Sequence, residues 1–227
     1  MKKFFLIFCI ILLDAFLLVG FLVIRDKVSL YRLNKEIYEL SKLDLKKDDY
    51  NRKIKSSGGY SVVEKTIKKY LNDCSNKTKE IINLGDDDKL KNILSYENYE
   101  EDGPNFDKSI KYLENSKSKY DKDMNYLLKI LDKNYIYNYG NDKIKDDYYL
   151  DQYREYMING DLSVKLDKHN EYMNKLYNNV NSVYGTCLEI LNYLKLYKDD
   201  WKLEDGEIKF QTQEMYDYYN SLVSKLS

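Results

Sequence analysis

The chain has 227 residues, 43% of them hydrophobic, enough to bury a sizeable core. Its 37 basic and 38 acidic residues leave a net charge of −1. Removing residues 1–27 takes away four cations and two acids and leaves −3, so no basic field exists to release counterions from DNA or RNA, which argues against a nucleic-acid partner. One proline and nine glycines favour helices over a many-turned β fold. The 25 tyrosines accompany a Lys-, Asn- and Ile-rich usage typical of AT-rich genomes.

Phe4 to Ile24 is a run of 21 residues dominated by Phe, Leu, Ile and Val, long enough as a helix to cross a bilayer core. Residues 1–27 are therefore expected to be an uncleaved, single-pass transmembrane signal-anchor. The run is longer than a signal peptide's, no small-residue cleavage site follows, and Phe8 before Cys9 argues against lipoprotein processing. Asp14 lies near its middle, where a carboxylate costs about 2.5–3.5 kcal/mol to insert and marks a contact with a partner helix or a tolerated acid. The flanks carry similar positive charge, Lys2 and Lys3 against Arg25 and Lys27. A short charged tail is easily retained inside, so the expectation is a cell-membrane protein with its C-terminal domain outside the cytoplasm.

Residues 28–59 are expected to form a juxtamembrane helix and linker. Leu30, Leu33, Ile37 and Leu40 keep a coiled-coil-like 3-4-3 spacing, and Ser56-Ser57-Gly58-Gly59 breaks the chain. Residues 60–227 are expected to be a helical bundle. Ser61 and Glu64 have capping-box spacing, followed by a stripe of Val63, Ile67, Tyr70, Leu71, Cys74, Thr78 and Ile81. A short helix starts in the Asp86–Asp88 run and carries Leu90, Ile93 and Leu94, with the lone proline, Pro104, in the turn beyond it. A long helix through Ile110, Leu113, Tyr120, Met124, Leu127 and Leu131 is expected to end only at Gly140-Asn141-Asp142. A shorter one from Ile144 to Met157 is closed by Gly160. Leu166, His169, Met173, Leu176, Val180, Val183, Cys187, Leu191 and Leu194 define a further long helix. Asp205-Gly206 between alternating apolar residues predicts a β-hairpin at 201–210, and Thr212 caps a final helix. The fold class expected is thus mainly α: a transmembrane helix, then an elongated antiparallel bundle with a small C-terminal hairpin and terminal helix.

Three stretches carry a resemblance: the hydrophobic N-terminus, the connection from Leu94-Ser95-Tyr96-Glu97-Asn98-Tyr99 to Asp102-Gly103-Pro104-Asn105-Phe106, and Trp201 to Phe210 with its helix. Together the chain resembles membrane-anchored α-helical extracytoplasmic proteins of Gram-positive bacteria, a group without an assigned activity. The resemblance implies an outward-facing domain and carries no catalytic residue with it.

Catalytic patterns are sparse. His169 is the sole histidine and falls in an apolar stripe, where neither a Glu-x-x-His di-iron motif nor a zinc-protease His pair can be built. Gly59-Tyr60-Ser61-Val62-Val63 lacks the second glycine of a nucleophile elbow, and Asp86–Asp88 lacks the spacing of a calcium loop. No cofactor and no metal are expected. Cys74 and Cys187 either pair as a disulfide, if the domain lies outside the cytoplasm, or pack as free thiols. Tyr135, Tyr137, Tyr139, Tyr148, Tyr149, Tyr153 and Tyr156 gather around one helix–helix turn, as a partner-binding surface or as core. The leading expectation is a non-enzymatic, membrane-tethered helical domain binding another envelope protein or a cell-wall component. The alternatives are a scaffold or spacer oligomerising through Asp14 and the Leu30–Leu40 seam, and a hydrolase using paired carboxylates.

Overall fold

A computed structural model describes residues 2–85 and 87–226, with side chains described from residue 19 onward. Helical residues, one π-helical and one 3₁₀ turn included, make up 77% of the chain, most of them in nine α-helices among the described residues. In order they are α1 (Lys2–Lys42), α2 (Gly59–Leu84), α3 (Asp88–Lys91), α4 (Tyr96–Asp102), α5 (Asp107–Ile130), α6 (Lys133–Lys143), α7 (Asp147–Arg154), α8 (Asp161–Leu196) and α9 (Gln213–Val223). Strands β1 (Trp201–Glu204) and β2 (Glu207–Phe210) separate α8 from α9. The chain divides into two compact units, one from residues 1–75 and 131–167, the other from 76–130 and 168–227.

The transmembrane, single-pass signal-anchor reading is corrected. Among the described residues no helix is long and apolar enough to cross a membrane. Among the residues with described side chains the apolar run is only Val19 to Ile24, and Arg25, Asp26 and Lys27 follow it on the same continuous helix. The side chains of the rest of the run, Asp14 and Cys9 among them, lie outside the described residues.

In the first unit, Leu33, Ile37 and Leu40 of α1 are buried, so the 3-4-3 seam is consumed by the unit's own core. Val63, Ile67, Tyr70, Leu71 and Cys74 of α2 join them there. The segment expected to be a polar linker is tied down instead. Leu45 and Tyr50 are buried, the Tyr50 hydroxyl donates to the Leu43 carbonyl at 2.9 Å, and Ser75 Oγ donates to the Asp48 carbonyl at 3.1 Å. Lys165 Nζ reaches the Leu40 and Ser41 carbonyls at 3.3 and 3.2 Å, a cation satisfying acceptors at the end of α1.

The long helix expected to run to Gly140 stops ten residues earlier. Asp132 caps a new helix, its carboxylate accepting from the amides of Asn134 and Tyr135. Gly140 sits buried inside α6 against the Tyr153 ring, where a Cβ would collide with the ring carbons. The glycine therefore serves close packing rather than a break in the backbone. α7 runs on through a π-helical turn, Glu155–Asn159, and ends at Gly160 as expected.

In the second unit, α5 buries Leu113, Tyr120, Met124 and Leu127, and α8 buries Met173, Tyr184, Cys187, Ile190, Leu191 and Leu194. The expected α8 stripe slips by one residue at Val183, which is exposed while Tyr184 turns inward. The hairpin forms as expected, pairing Trp201 with Phe210 and Leu203 with Ile208. Asp205 and Gly206 both take positive φ, the requirement of a type I′ turn. Two strands alone are marginal, and these are held by packing. Trp201 stacks on Phe106 at 5.9 Å and donates Nε1–H to the Leu194 carbonyl at 2.7 Å, while Phe210 meets Tyr219 of α9 at 5.3 Å.

Candidate functional site

The seven tyrosines singled out between residues 135 and 156 all belong to the first unit, and the structure divides them. Tyr153 is wholly buried, its hydroxyl donating to the Ile136 carbonyl at 3.0 Å. Tyr139 meets Tyr70 edge-on at 5.4 Å and stacks with Tyr135 at 6.3 Å, so these rings serve packing. Tyr149 packs edge-on against Tyr60 at 5.1 Å and covers Gly59, where a Cβ would strike its ring.

The remaining three reach solvent with their positions fixed. Tyr137 is 42% exposed; the Arg154 guanidinium lies 4.6 Å from its ring centre and donates to its hydroxyl at 2.9 Å. The same guanidinium donates to Asn141 Oδ1 at 3.1 Å, tying α7 to α6. Tyr148 is 54% exposed, its hydroxyl 2.9 Å from that of Tyr60, which in turn donates to Asp26 at 3.3 Å. Tyr156 is half-buried and donates to Asn34 Oδ1 at 2.5 Å.

A second constellation in the same unit went unread in the sequence. Glu36 and Glu64 have no accessible surface and Lys68 almost none, and the three converge. Lys68 Nζ lies 2.5 Å from Glu64 Oε1 and 3.1 Å from Glu36 Oε1, and it donates to the Lys53 carbonyl at 2.8 Å. Glu36 is also paired with Lys55 Nζ and with Arg52 Nε at 3.5 Å. Glu64 accepts from the amides of Lys55 and Ser56 at 2.9 and 2.7 Å and from the Ser56 hydroxyl at 2.6 Å. Two buried acids thus bind a non-helical stretch, residues 52–56, through both its side chains and its amides.

This corrects the capping-box reading. Ser61 donates its hydroxyl to the Gly58 carbonyl rather than accepting from an amide, and Glu64 turns inward. A helical Glu four residues before a Lys normally reads as a solvated surface pair. Nothing in the local spacing announces burial, and Glu36 comes from another helix.

Electrostatics set the state of both acids. Burial alone would raise their pKa values, but hydrogen bonds and charge from the surrounding cations more than offset it. Glu36 is held below its ordinary value against burial by Lys55, Lys68 and Arg52. Glu64 is held down against burial by Lys68, Ser56 and the Lys55 and Ser56 amides. Both are therefore carboxylates at neutral pH.

No family model, curated protein or solved structure matches this chain.

His169, Cys74 and Cys187 are buried. His169 is buried with Nε2 2.9 Å from Thr78 Oγ1, the packed, hydrogen-bonded histidine its place in the stripe implies. Cys74 and Cys187 are free, buried thiols. Burial raises the Cys187 thiol to about 11; it also raises Cys74, against a hydrogen bond from Tyr70, to about 12. Among the described residues no group of three or more His, Cys, Asp or Glu is placed to hold a metal ion.

Proposed function

We propose that this protein is a non-enzymatic helical module that binds another protein through the tyrosine-bearing surface of its first unit, with Tyr137 and Tyr148 as anchors. The supporting observation is that both rings are exposed yet held, one by Arg154 and the other by the Tyr60 hydroxyl. An aromatic side chain already fixed in place loses little freedom on association, and Tyr and Arg are the residue types that dominate binding energy at interfaces. This buried carboxylate pair does not itself serve the hydrolase alternative. Acid–base hydrolysis needs one protonated and one ionised group within reach of a substrate. Glu36 and Glu64 are both held ionised, and neither has accessible surface.

The test is a photoactivatable residue at position 148 or 137 in cells, followed by reconstitution with the partner so identified. The double change Tyr137→Ala and Tyr148→Ala should weaken that purified complex by tenfold or more, on the order of 1.4 kcal/mol. An unchanged affinity in the double variant, with the fold intact, refutes the assignment of the surface.

A further inference from the structure

The stretch pinned by Glu36 and Glu64 does more than close the core, for it forms one wall of an open cleft. Tyr31, Arg32 and Lys35 of α1 line one side and Lys53, Ile54 and Lys55 the other, around a volume of about 510 Å³. That size is within the range of small-molecule sites. Four of the six lining residues are cations and none is an acid. Lys55 is engaged with Glu36, whereas Arg32, Lys35 and Lys53 make no ion pair among the described residues. In a chain with more acids than bases, this is a local concentration of uncompensated positive charge.

Such a cluster is unfavourable in isolation and persists because the backbone beneath it is fixed. Arg32 and Lys35 are three residues apart on α1 and share a face. Lys53 and Lys55 are delivered opposite them because Lys68 takes the Lys53 carbonyl and Glu64 takes the Lys55 amide. The buried ionic core thus sets the spacing of the exposed cations without using their charge, apart from that of Lys55.

We propose that this cleft is a binding site for a phosphate-bearing anion. A phosphoryl group carries two charges near neutral pH and several acceptor oxygens, enough to engage the Arg32 fork and the Lys35 and Lys53 ammonium groups together. A single carboxylate would leave part of that set unmatched. The Tyr31 ring, 67% exposed at the rim, offers a stacking face to the organic part of a phosphate ester. The site is distinct from the Tyr137 and Tyr148 surface and stands whether or not that surface binds a protein.

Calorimetric titration of the full chain with inorganic pyrophosphate and with adenosine monophosphate tests it, at low salt and again at high salt. Saturable binding of at least one probe is expected, weakening as salt rises. The double variant Arg32→Gln, Lys53→Gln should lose tenfold or more in affinity. Lys122→Gln with Lys129→Gln, exposed residues outside the cleft, makes the same change in net charge and should bind as the native chain does. Tyr31→Ala assigns the source: a selective loss of the nucleotide points to an ester, an equal response to both probes to an inorganic anion. Absence of saturable binding of either probe overturns the proposal, as does equal weakening by the cleft and control variants.

Discussion

Replacing Lys68 by methionine isolates what the buried ionic core contributes. Methionine nearly matches the volume, and Lys68 is only 4% exposed, so packing is largely kept while the charge is lost. The change removes the cation lying 2.5 Å from Glu64 and 3.1 Å from Glu36, leaving two carboxylates without surface access facing one another. Arg52 and Lys55 still reach Glu36, but Glu64 keeps only amide and hydroxyl donors. Breaking a buried pair in this way costs about 3–5 kcal/mol. Amide hydrogen exchange should show the loss as reduced protection of α1 residues 29–40 and α2 residues 60–75. The pH dependence is a sharper signature. In the native chain both carboxyls have lowered pKa values, so their contribution is present above the unfolded value near 4.5 and is lost as pH falls through the folded values. In Lys68→Met, desolvation and like charge act without the shared cation and push at least one carboxyl up. That variant should therefore gain stability on mild acidification from neutral pH, over a range where the native chain gains none. A Lys68→Met protein within about 1 kcal/mol of native stability, with an unchanged pH profile, would refute the account.

Gly140→Ala places a methyl group against the Tyr153 ring and should destabilise the first unit by about 1–3 kcal/mol, read from its thermal or urea midpoint; an unchanged midpoint would show that the ring can move aside. Cys74 and Cys187, buried with raised thiol pKa values, should resist iodoacetamide at pH 8 in the folded chain and react in urea, and rapid alkylation of either without denaturant would contradict the packing described.

Helical stripes and the hairpin were legible in the sequence because they depend on local periodicity. All seven residues of the α2 stripe, from Val63 to Ile81, are buried, and Asp205-Gly206 turns the hairpin where expected. Errors arose where a tertiary partner decided the outcome. Gly140 reads as a helix stop, yet it is the only residue small enough to lie beneath Tyr153, and Asp132 ends the preceding helix by capping the next. Val183 and Tyr184 exchange places because both are apolar enough to satisfy the pattern. Of the tyrosine cluster, sequence identified the neighbourhood but not the division between packed rings such as Tyr153 and held, exposed ones such as Tyr148. The Glu36–Lys68–Glu64 core had no signal at all. Its charges are spread over 33 positions, and each is indistinguishable from a solvated surface residue until the fold brings them together.

The interleaving of the two units has a consequence for how the polypeptide is made. Chain leaving a ribosome presents α1 and most of α2 long before α6, α7 and the start of α8, which complete the same unit. Between them come residues 76–130, the first part of the other unit, whose second part is residues 168–227. The first unit cannot be complete until residue 167 is made, and until then the core around Leu33 and Leu71 lacks the buried Tyr153, Met157 and Leu162. A nascent chain paused anywhere between residues 76 and 130 would therefore hold the first unit's core unfinished.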